Sequence, residues 1–370
     1  MVGTKLAKTF LLFVGVATVC AMQSCAADEK SPLGITVPAG FTIEVFADVP
    51  NARSLALGDN GTVFVANRRG DSIYAVVNGS GGQREVLELD SGLNTPNGIA
   101  FFEGDLYVAE IDRVLRYANI ETSLRNMPPA EVLDIDLPSE THHGWRYIGF
   151  GPDRKLYISI GAPCNICDRD GYGRIVRMNP DGSGREVFAS GIRNSVGFTW
   201  QPGSGDLWFT DNGRDMLGDD LPPDELNHVT AAGQHFGYPY CHAGYILDPE
   251  FGAGKSCSDY APPAQRLGPH VASLGLKFYT GTEFPEHYQG QIFIAEHGSW
   301  NRSEKIGYRV SLARLEEGKV VAYEVFADGW LQGQRVTGRP VDLLVLDDGS
   351  LLVSDDHAGR IYKISYKGKG

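Results

Sequence analysis

HHGWRYIGFGPDRKLYISIGAPCNICD, residues 142–168, reads as a β-hairpin with polar chemistry at its open end. Trp145–Phe150 has the two-residue period of a strand, Gly151-Pro152-Asp153 turns the chain, and Leu156–Ile160 returns as a second strand. A hairpin brings its two ends together. His143 and the Gly161–Cys167 loop are therefore expected side by side, at the end opposite the turn.

The same order of polar residue, strand, Gly/Asp turn, strand and polar loop recurs along the chain. A first copy runs from Arg53 through Leu55-Ala56-Leu57 and Val63-Phe64-Val65 to Asn67-Arg68-Arg69. A second runs from Asn97 through Ile99–Phe102 and Leu106-Tyr107-Val108 to Glu110. The opening stretch is the third. A fourth takes in Arg193-Asn194, Val196–Trp200, Leu207–Thr210 and Asp211–Arg214. A fifth takes in Leu276–Tyr279, Gln291–Ala295 and Glu296-His297-Gly298, and a sixth Arg339, Val341–Val345, Leu351–Val353 and Asp355. Most copies continue into a third strand: Ser72–Val76, Val114–Tyr117, Arg174–Met178, Tyr308–Leu315 and Arg360–Ser365. Units of roughly 45 to 80 residues with four strands each predict an all-β fold, a six-bladed β-propeller. Phe41–Val49 is expected to complete the last blade, because an open blade edge leaves amide and carbonyl groups unpaired. A β-sandwich array fits six self-similar hairpins poorly.

Composition agrees. The 370 residues contain 46 Gly and 20 Pro, which favours short strands and tight turns over long helices. The net charge of −13 argues against a nucleic-acid partner, whose phosphates need clustered Lys and Arg. Lys5 and Lys8 ahead of the apolar run Phe10–Met22 form the layout of an export signal, too short and wrongly flanked for a membrane span. Cys25 after Ser24 fits a lipoprotein signal, with simple cleavage nearby as the alternative. The expected organisation is a signal over 1–25, a short linker over 26–40 and the propeller over 41–368, in the periplasm or cell envelope.

Two cysteine pairs remain after the signal: Cys164 with Cys167, and Cys241 with Cys257. In an exported chain both are expected to be disulfides. The Cys-x-x-Cys spacing also suggests redox chemistry, half a zinc site or haem attachment. Haem attachment needs His after the second Cys, where Asp168 stands, and zinc needs two further ligands.

In a propeller the first strands line the central channel, so Arg53, Asn97, His143, Arg193, Asn194 and Arg339 should converge on one mouth. The loops after the second strands add Arg68, Glu110, Asp211–Arg214, His297–Arg302 and Asp355. Several arginines focused on one cleft of an acidic protein point to an anionic ligand, most simply a polycarboxylate. Pairing of each arginine with Asp211, Asp342 or Asp355 of a neighbouring blade is the bland alternative. A neutral His143 beside such a cluster would be available as a base, with His142 pointing the other way if the chain there is extended. The long insertion Asp215–Lys255 is rich in Asp, Gly, His and Pro. Its acidic residues could hold calcium or simply be solvated.

HGWRYIGFGPDRKLYISIG, GIRNSVGFTWQPGSGDLWFTDNG, DELNHVTAAGQHFGYPYCHAG, FIAEHGSWNR and GRPVDLLVLDDGSLLVSDD together resemble the pyrroloquinoline quinone (PQQ)-dependent sugar dehydrogenases. These comprise soluble aldose dehydrogenases, a sorbosone dehydrogenase-like group and fungal pyranose dehydrogenases. The resemblance extends from about Phe41 to the C-terminus, and APCNIC and EHGSWNR look most like the sorbosone branch. It implies PQQ lying over the mouth with a calcium ion bound to it. His143 would be the catalytic base, taking the hydroxyl proton of an aldose or related sugar while hydride passes to the quinone. Arg193 and Asn194 would contact the quinone and the substrate side, Arg339 a PQQ carboxylate, and the backbone carbonyls of Gly213 and Arg214 the calcium.

This chain departs from the pattern in three places. His142 stands where glucose-oxidising members have Asp, Arg214 replaces a proline, and Gly298 falls near the place of the family's quinone-contacting lysine. Arg302 is the candidate substitute for that lysine. With no haem motif present, electrons would leave to a separate acceptor, a quinone or a cytochrome. The competing readings are a calcium-dependent lactonase-type hydrolase and a non-catalytic sugar-binding propeller.

Overall fold

Alternation of apolar residues with tight turns gives each unit a sheet that is buried on both faces, and such sheets must stack. The computed structural model describes residues 29–31 and 33–368, with Met1 and Gly3; the apolar run Phe10–Met22 and Cys25 lie outside the described residues. The chain forms a six-bladed β-propeller. Blade one is Ala52–Leu57, Val63–Asn67, Ile73–Asn78 and Arg84–Asp90, in that order from the axis outward. Blades two to five repeat it, beginning on Gly98–Phe102, Ile148–Phe150, Phe198–Trp200 and Ser273–Phe278. Blade six is Pro340–Val345, Leu351–Asp355 and Arg360–Tyr366, completed by the N-terminal strand Phe41–Asp48, which pairs antiparallel to Arg360–Tyr366. The ring thus closes as expected, with no blade edge left open at the seam.

Aromatic side chains weld one blade to the next. Phe102 stacks on Phe150 at 4.1 Å between blades two and three, and Trp208 meets Phe278 edge-on at 6.0 Å between blades four and five. At the seam, Phe41 stands edge-on to Phe284 (4.7 Å), Phe326 (5.2 Å) and Tyr288 (5.4 Å). Phe41→Ala is expected to cost about 3–5 kcal/mol through the cavity it leaves. It should lower the urea midpoint with the m-value unchanged; an unmoved midpoint would show that the seam is not a stability determinant.

Three expectations need correction. The first strand of blade three begins at Ile148, not Trp145: Arg146 is drawn out of register by bonds from Nε to the Ile111 carbonyl (2.9 Å) and from Nη2 to the Pro138 carbonyl (2.6 Å). The 215–255 insertion is not one loop, because Pro223–Val229 is the third strand of blade four. The rest is an excursion before the outer strand Gln265–Pro269. It adds Gln234–His235 to the edge of blade three and is pinned by the Cys241–Cys257 disulfide. Finally, the described part of the 26–40 linker is packed: Ile35 and Val37 are buried in the core shared by blades five and six, and Thr36 exchanges backbone hydrogen bonds with Asp328. No helix among the described residues is long and apolar enough to cross a membrane.

Candidate functional site

Each blade sends the segment before its first strand and the loop after its second strand to the same end. In blades two, four and six a carboxylate at the end of the second strand ties the two together. Asp211 accepts the backbone N–H groups of Arg193 (2.8 Å) and Asn194 (2.6 Å), Asp355 accepts that of Arg339 (2.9 Å), and Glu110 accepts that of Asn94. Asp211 and Asp355 therefore hold the arginine-bearing segments by the main chain rather than pairing with the Arg193 and Arg339 guanidinium groups. Asp342 likewise serves backbone donors, Leu55 and Leu343. The result is a cavity of about 340 Å³ at the axis, lined by Arg53, Arg68, Arg69, Arg193 and Arg339, with His142, His143 and His297.

His143 sits beside the Gly161–Cys167 loop, as the hairpin predicted. Its Nδ1 lies 2.8 Å from the Ala162 carbonyl oxygen. A carbonyl only accepts, so Nδ1 carries the proton and Nε2 keeps its lone pair. Burial, then the charges of Arg193, His142 and Arg68, hold the His143 pKa well below the usual histidine value of 6.5, so the ring is neutral at physiological pH. The backbone at His143 is left-handed (φ 50°), not extended. That bend brings His142 into the same cavity, with ring centroids 4.1 Å apart, instead of sending it to the opposite side. Gly161 makes the approach possible: a Cβ there would come within 2.7 Å of the His143 Cβ.

The arginines differ in how they are held. Arg193 donates from Nε to the Asn165 carbonyl (2.9 Å), from Nη1 to the Asn212 carbonyl (3.2 Å), and from Nη2 to Asn165 Oδ1 (2.9 Å) and Asp215 (2.8 Å). Arg53 bonds Asn97 and Asp356, both at 3.0 Å. The second oxygen of Asp356 takes His297 Nε2 at 2.9 Å. Burial lowers the His297 pKa to about 4, so it too is neutral. Arg339 donates from Nε and Nη2 to the carbonyls of His297 and Gly298, each at 3.0 Å. Arg68 has no ion pair among the described residues and lies 3.6 Å over the Trp145 ring. Burial, followed by repulsion from Arg53, pushes its pKa down to about 9. The mouth is thus cationic beyond what its own carboxylates neutralise.

Asn97 and Glu110 support the mouth without lining it. Asn97 accepts from Arg53 and donates to the Arg146 carbonyl, and Glu110 pairs with Arg113. Asn194 lines the cavity beside His143. Gly213 lines it as well, its N–H donated to Asp224 Oδ1 at 3.0 Å. Asp224 also accepts from Ser273 N (3.1 Å), and burial raises its pKa to about 7. The Arg214 side chain turns away to Asp248 (2.5 Å) and Glu250 (3.1 Å), and Arg214 does not line the cavity. No group of three or more His, Cys, Asp or Glu side chains among the described residues is arranged to hold a metal ion. The acids of the insertion are engaged singly: Asp215 with Arg193 and Asn301, Asp219 with Ser303, Asp220 with Arg302.

Arg302 does not line the cavity. It is captured by the Asp219 carbonyl and by Asp220 at 3.3 Å, and it is Trp300 and Asn301 that face the mouth. Nor can a side chain replace Gly298, where φ is 98° and a Cβ would meet the Tyr308 ring at 2.3 Å. Both cysteine pairs are disulfides, so Cys164 and Cys167 bridge within the loop that faces His143.

Residues 113–363 match the family model described as Glucose / Sorbosone dehydrogenase. The chain belongs to the glucose/sorbosone dehydrogenase family. It is 31% identical over 360 residues to an uncharacterised protein of Borreliella burgdorferi, covering 92% of this chain and 93% of that one. Among solved structures, an iodide structure of a Trichoderma reesei carbohydrate-active enzyme of family AA12 superposes with a TM-score of 0.79 at 19% identity, over 90% of this chain and 98% of that one. The holo form of the PQQ domain of pyranose dehydrogenase from Coprinopsis cinerea gives a TM-score of 0.76 at 18% identity, over 91% and 98%.

Asn165, His270 and Asp356 escaped the sequence reading. Asp356 follows the second strand of the sixth copy and could have been found there. Asn165 reaches Arg193 and His270 reaches the Gly218 carbonyl across 28 and 52 residues, and no local pattern signals such contacts.

Proposed function

We propose that this protein is a PQQ-dependent sugar dehydrogenase with His143 as general base. One observation carries the reading: a ring of arginines, of which Arg68, Arg69 and Arg339 form no ion pair among the described residues, surrounds a neutral imidazole whose Nε2 is free to accept a proton. A compact polyanion fits that excess of charge, and PQQ with its three carboxylates is one. Arg339, Arg68 and Arg193 would hold it, with Asn194 at its edge, and backbone carbonyls of Gly213 and Arg214 would hold a calcium ion against it. PQQ supplies the hydride acceptor when bound.

The chain's own residues do the rest. His143 Nε2 takes the proton of the sugar hydroxyl, and the Ala162 carbonyl keeps the ring in the tautomer that can do so. The guanidinium groups stabilise negative charge that develops opposite the base. Trp300, 66% exposed at the lip, offers an apolar face for a sugar ring. Electrons leave to a separate acceptor outside the blade ring, on an exported protein.

Apo-protein given PQQ and calcium ions should reduce an artificial electron acceptor in the presence of an aldose or sorbosone, and calcium chelation before loading should prevent it. Absence of PQQ binding in an absorbance titration would defeat the proposal outright. Stoichiometric binding without turnover on any aldose, pyranose or sorbosone would defeat the substrate class alone.

A further inference from the structure

The loop from Gly161 to Cys167 touches both the imidazole and the guanidinium that the mouth is built around. Ala162 alone serves both: its N–H is donated to the Arg193 carbonyl at 2.8 Å, and its carbonyl accepts His143 Nδ1 at 2.8 Å. Asn165 then takes the Arg193 side chain twice, at Nε with its backbone oxygen and at Nη2 with Oδ1, each at 2.9 Å. Its amide oxygen is used twice. Oδ1 also accepts Asp215 N at 2.8 Å, and Nδ2 donates to the Asp215 carbonyl at 3.0 Å. The Asp215 carboxylate in turn holds Arg193 Nη2, so the three residues form a closed set, joined at Asp215 through both its main chain and its side chain.

This loop has no regular secondary structure to hold it. An unrestrained residue carries about 1–2 kcal/mol of backbone conformational entropy, and Asn165 is needed in one place. Two features fix it. The Cys164–Cys167 disulfide brackets Asn165-Ile166, and the Tyr238 hydroxyl accepts Cys167 N at 3.0 Å and lies 3.5 Å from Cys164 Sγ. A cross-link of this kind acts mainly by removing alternative conformations. The bridge therefore stands outside the chemistry, yet restrains the loop that sets the tautomer of one group and the aim of the other.

We propose that the disulfide-closed loop 161–167 is a positioning device for His143 and Arg193, and that Asn165 is the positioning residue through which it acts on Arg193. This rests on the dehydrogenase reading above. Nothing in the loop touches a reacting atom; its contribution is placement, and misplacement by about an ångström is costed at up to roughly a hundredfold in rate.

The test uses the full chain in three variants. Cys164→Ser combined with Cys167→Ser keeps the Cys241–Cys257 bridge. Asn165→Ala keeps both bridges. Asn165→Asp restores an oxygen acceptor for Arg193. In the double serine variant and in Asn165→Ala, kcat should fall roughly ten- to a hundredfold with KM changed less than about threefold. PQQ affinity, read by absorbance titration of the apo-protein, should weaken in Asn165→Ala and recover in part in Asn165→Asp. In the double serine variant the acid limb of kcat/KM should move up toward pH 6.5. Loosening relieves the burial of His143 and its exposure to Arg193, which outweighs loss of the Ala162 bond; His142 and Arg68 are unchanged. Wild-type kcat, PQQ affinity and pH profile in the variants would overturn the inference. So would a loss confined to thermal stability, or an Asn165→Asp variant as impaired as Asn165→Ala. Should the double serine variant fail to fold, the two Asn165 variants decide. Wild-type protein that does not bind PQQ fails the underlying function instead, and the two failures are read in separate samples.

Discussion

His143→Ala is expected to lower turnover with sugar by roughly 10²–10⁴-fold, the usual contribution of a positioned general base, while PQQ still binds. The split follows from the geometry. His143 is held through Nδ1 by the Ala162 carbonyl, whereas the cationic charge of the mouth comes from arginines anchored elsewhere, on Asp215, Asp356 and the carbonyls of residues 297 and 298. Removing the imidazole therefore takes away a proton acceptor and leaves the anion site standing. The pH dependence has a defined sign. The base works in its neutral form, and burial, Arg193, His142 and Arg68 all lower its pKa. The rate should then stay level as pH falls from neutrality through 6.5 and decline only below the depressed value. Turnover within a few-fold of wild type, or an acid limb at or above pH 6.5, would remove His143 from the base role.

The ring and its mouth were legible because they rest on short-range signals. Strand period and Gly/Asp turns fix each hairpin, and a hairpin fixes which residues share an end; that brought His143, Arg193, Asn194, Gly213 and Arg339 to one cavity from residues far apart in the chain. The misjudged elements are those decided by contacts outside the hairpin. Pro223–Val229, sequence PDELNHV, is a fully integrated strand whose acids and Asn227 are nonetheless buried. A run that polar, headed by proline, reads as a loop unless one knows that Gly213 N, Ser273 N and Ala243 N wait for Asp224 and Glu225. The expectation that His142 points away assumed an extended chain, and the left-handed backbone at His143 overturns it; histidine is among the residues that tolerate this conformation, but its presence alone does not signal it. Arg302 was drawn toward the mouth by its neighbours in sequence, but Asp219 and Asp220, more than eighty residues away, hold it at the rim.

Arg339→Ala is the second large effect. It should weaken PQQ binding by roughly ten- to a hundredfold, which corresponds to about 1.5–3 kcal/mol for hydrogen bonds to a charged group. Arg339 is pre-oriented for such a contact. Its N–H is held by Asp355, and its Nε and Nη2 by the carbonyls of His297 and Gly298, so little side-chain freedom is left to lose on binding. In the free protein its charge is costly: burial lowers its pKa, and Arg53 and Arg69 add to that. An anion in the cavity relieves the repulsion, and the relief is part of the binding energy. Arg302→Ala is the matched control, since its guanidinium is spent on the Asp219 carbonyl and Asp220 outside the cavity. Absorbance titration of the two variants side by side separates a cationic site aimed at a ligand from arginines that merely brace the rim. If Arg302→Ala loses affinity and Arg339→Ala does not, the anion lies outside the mouth, and the base at His143 has no partner to work against.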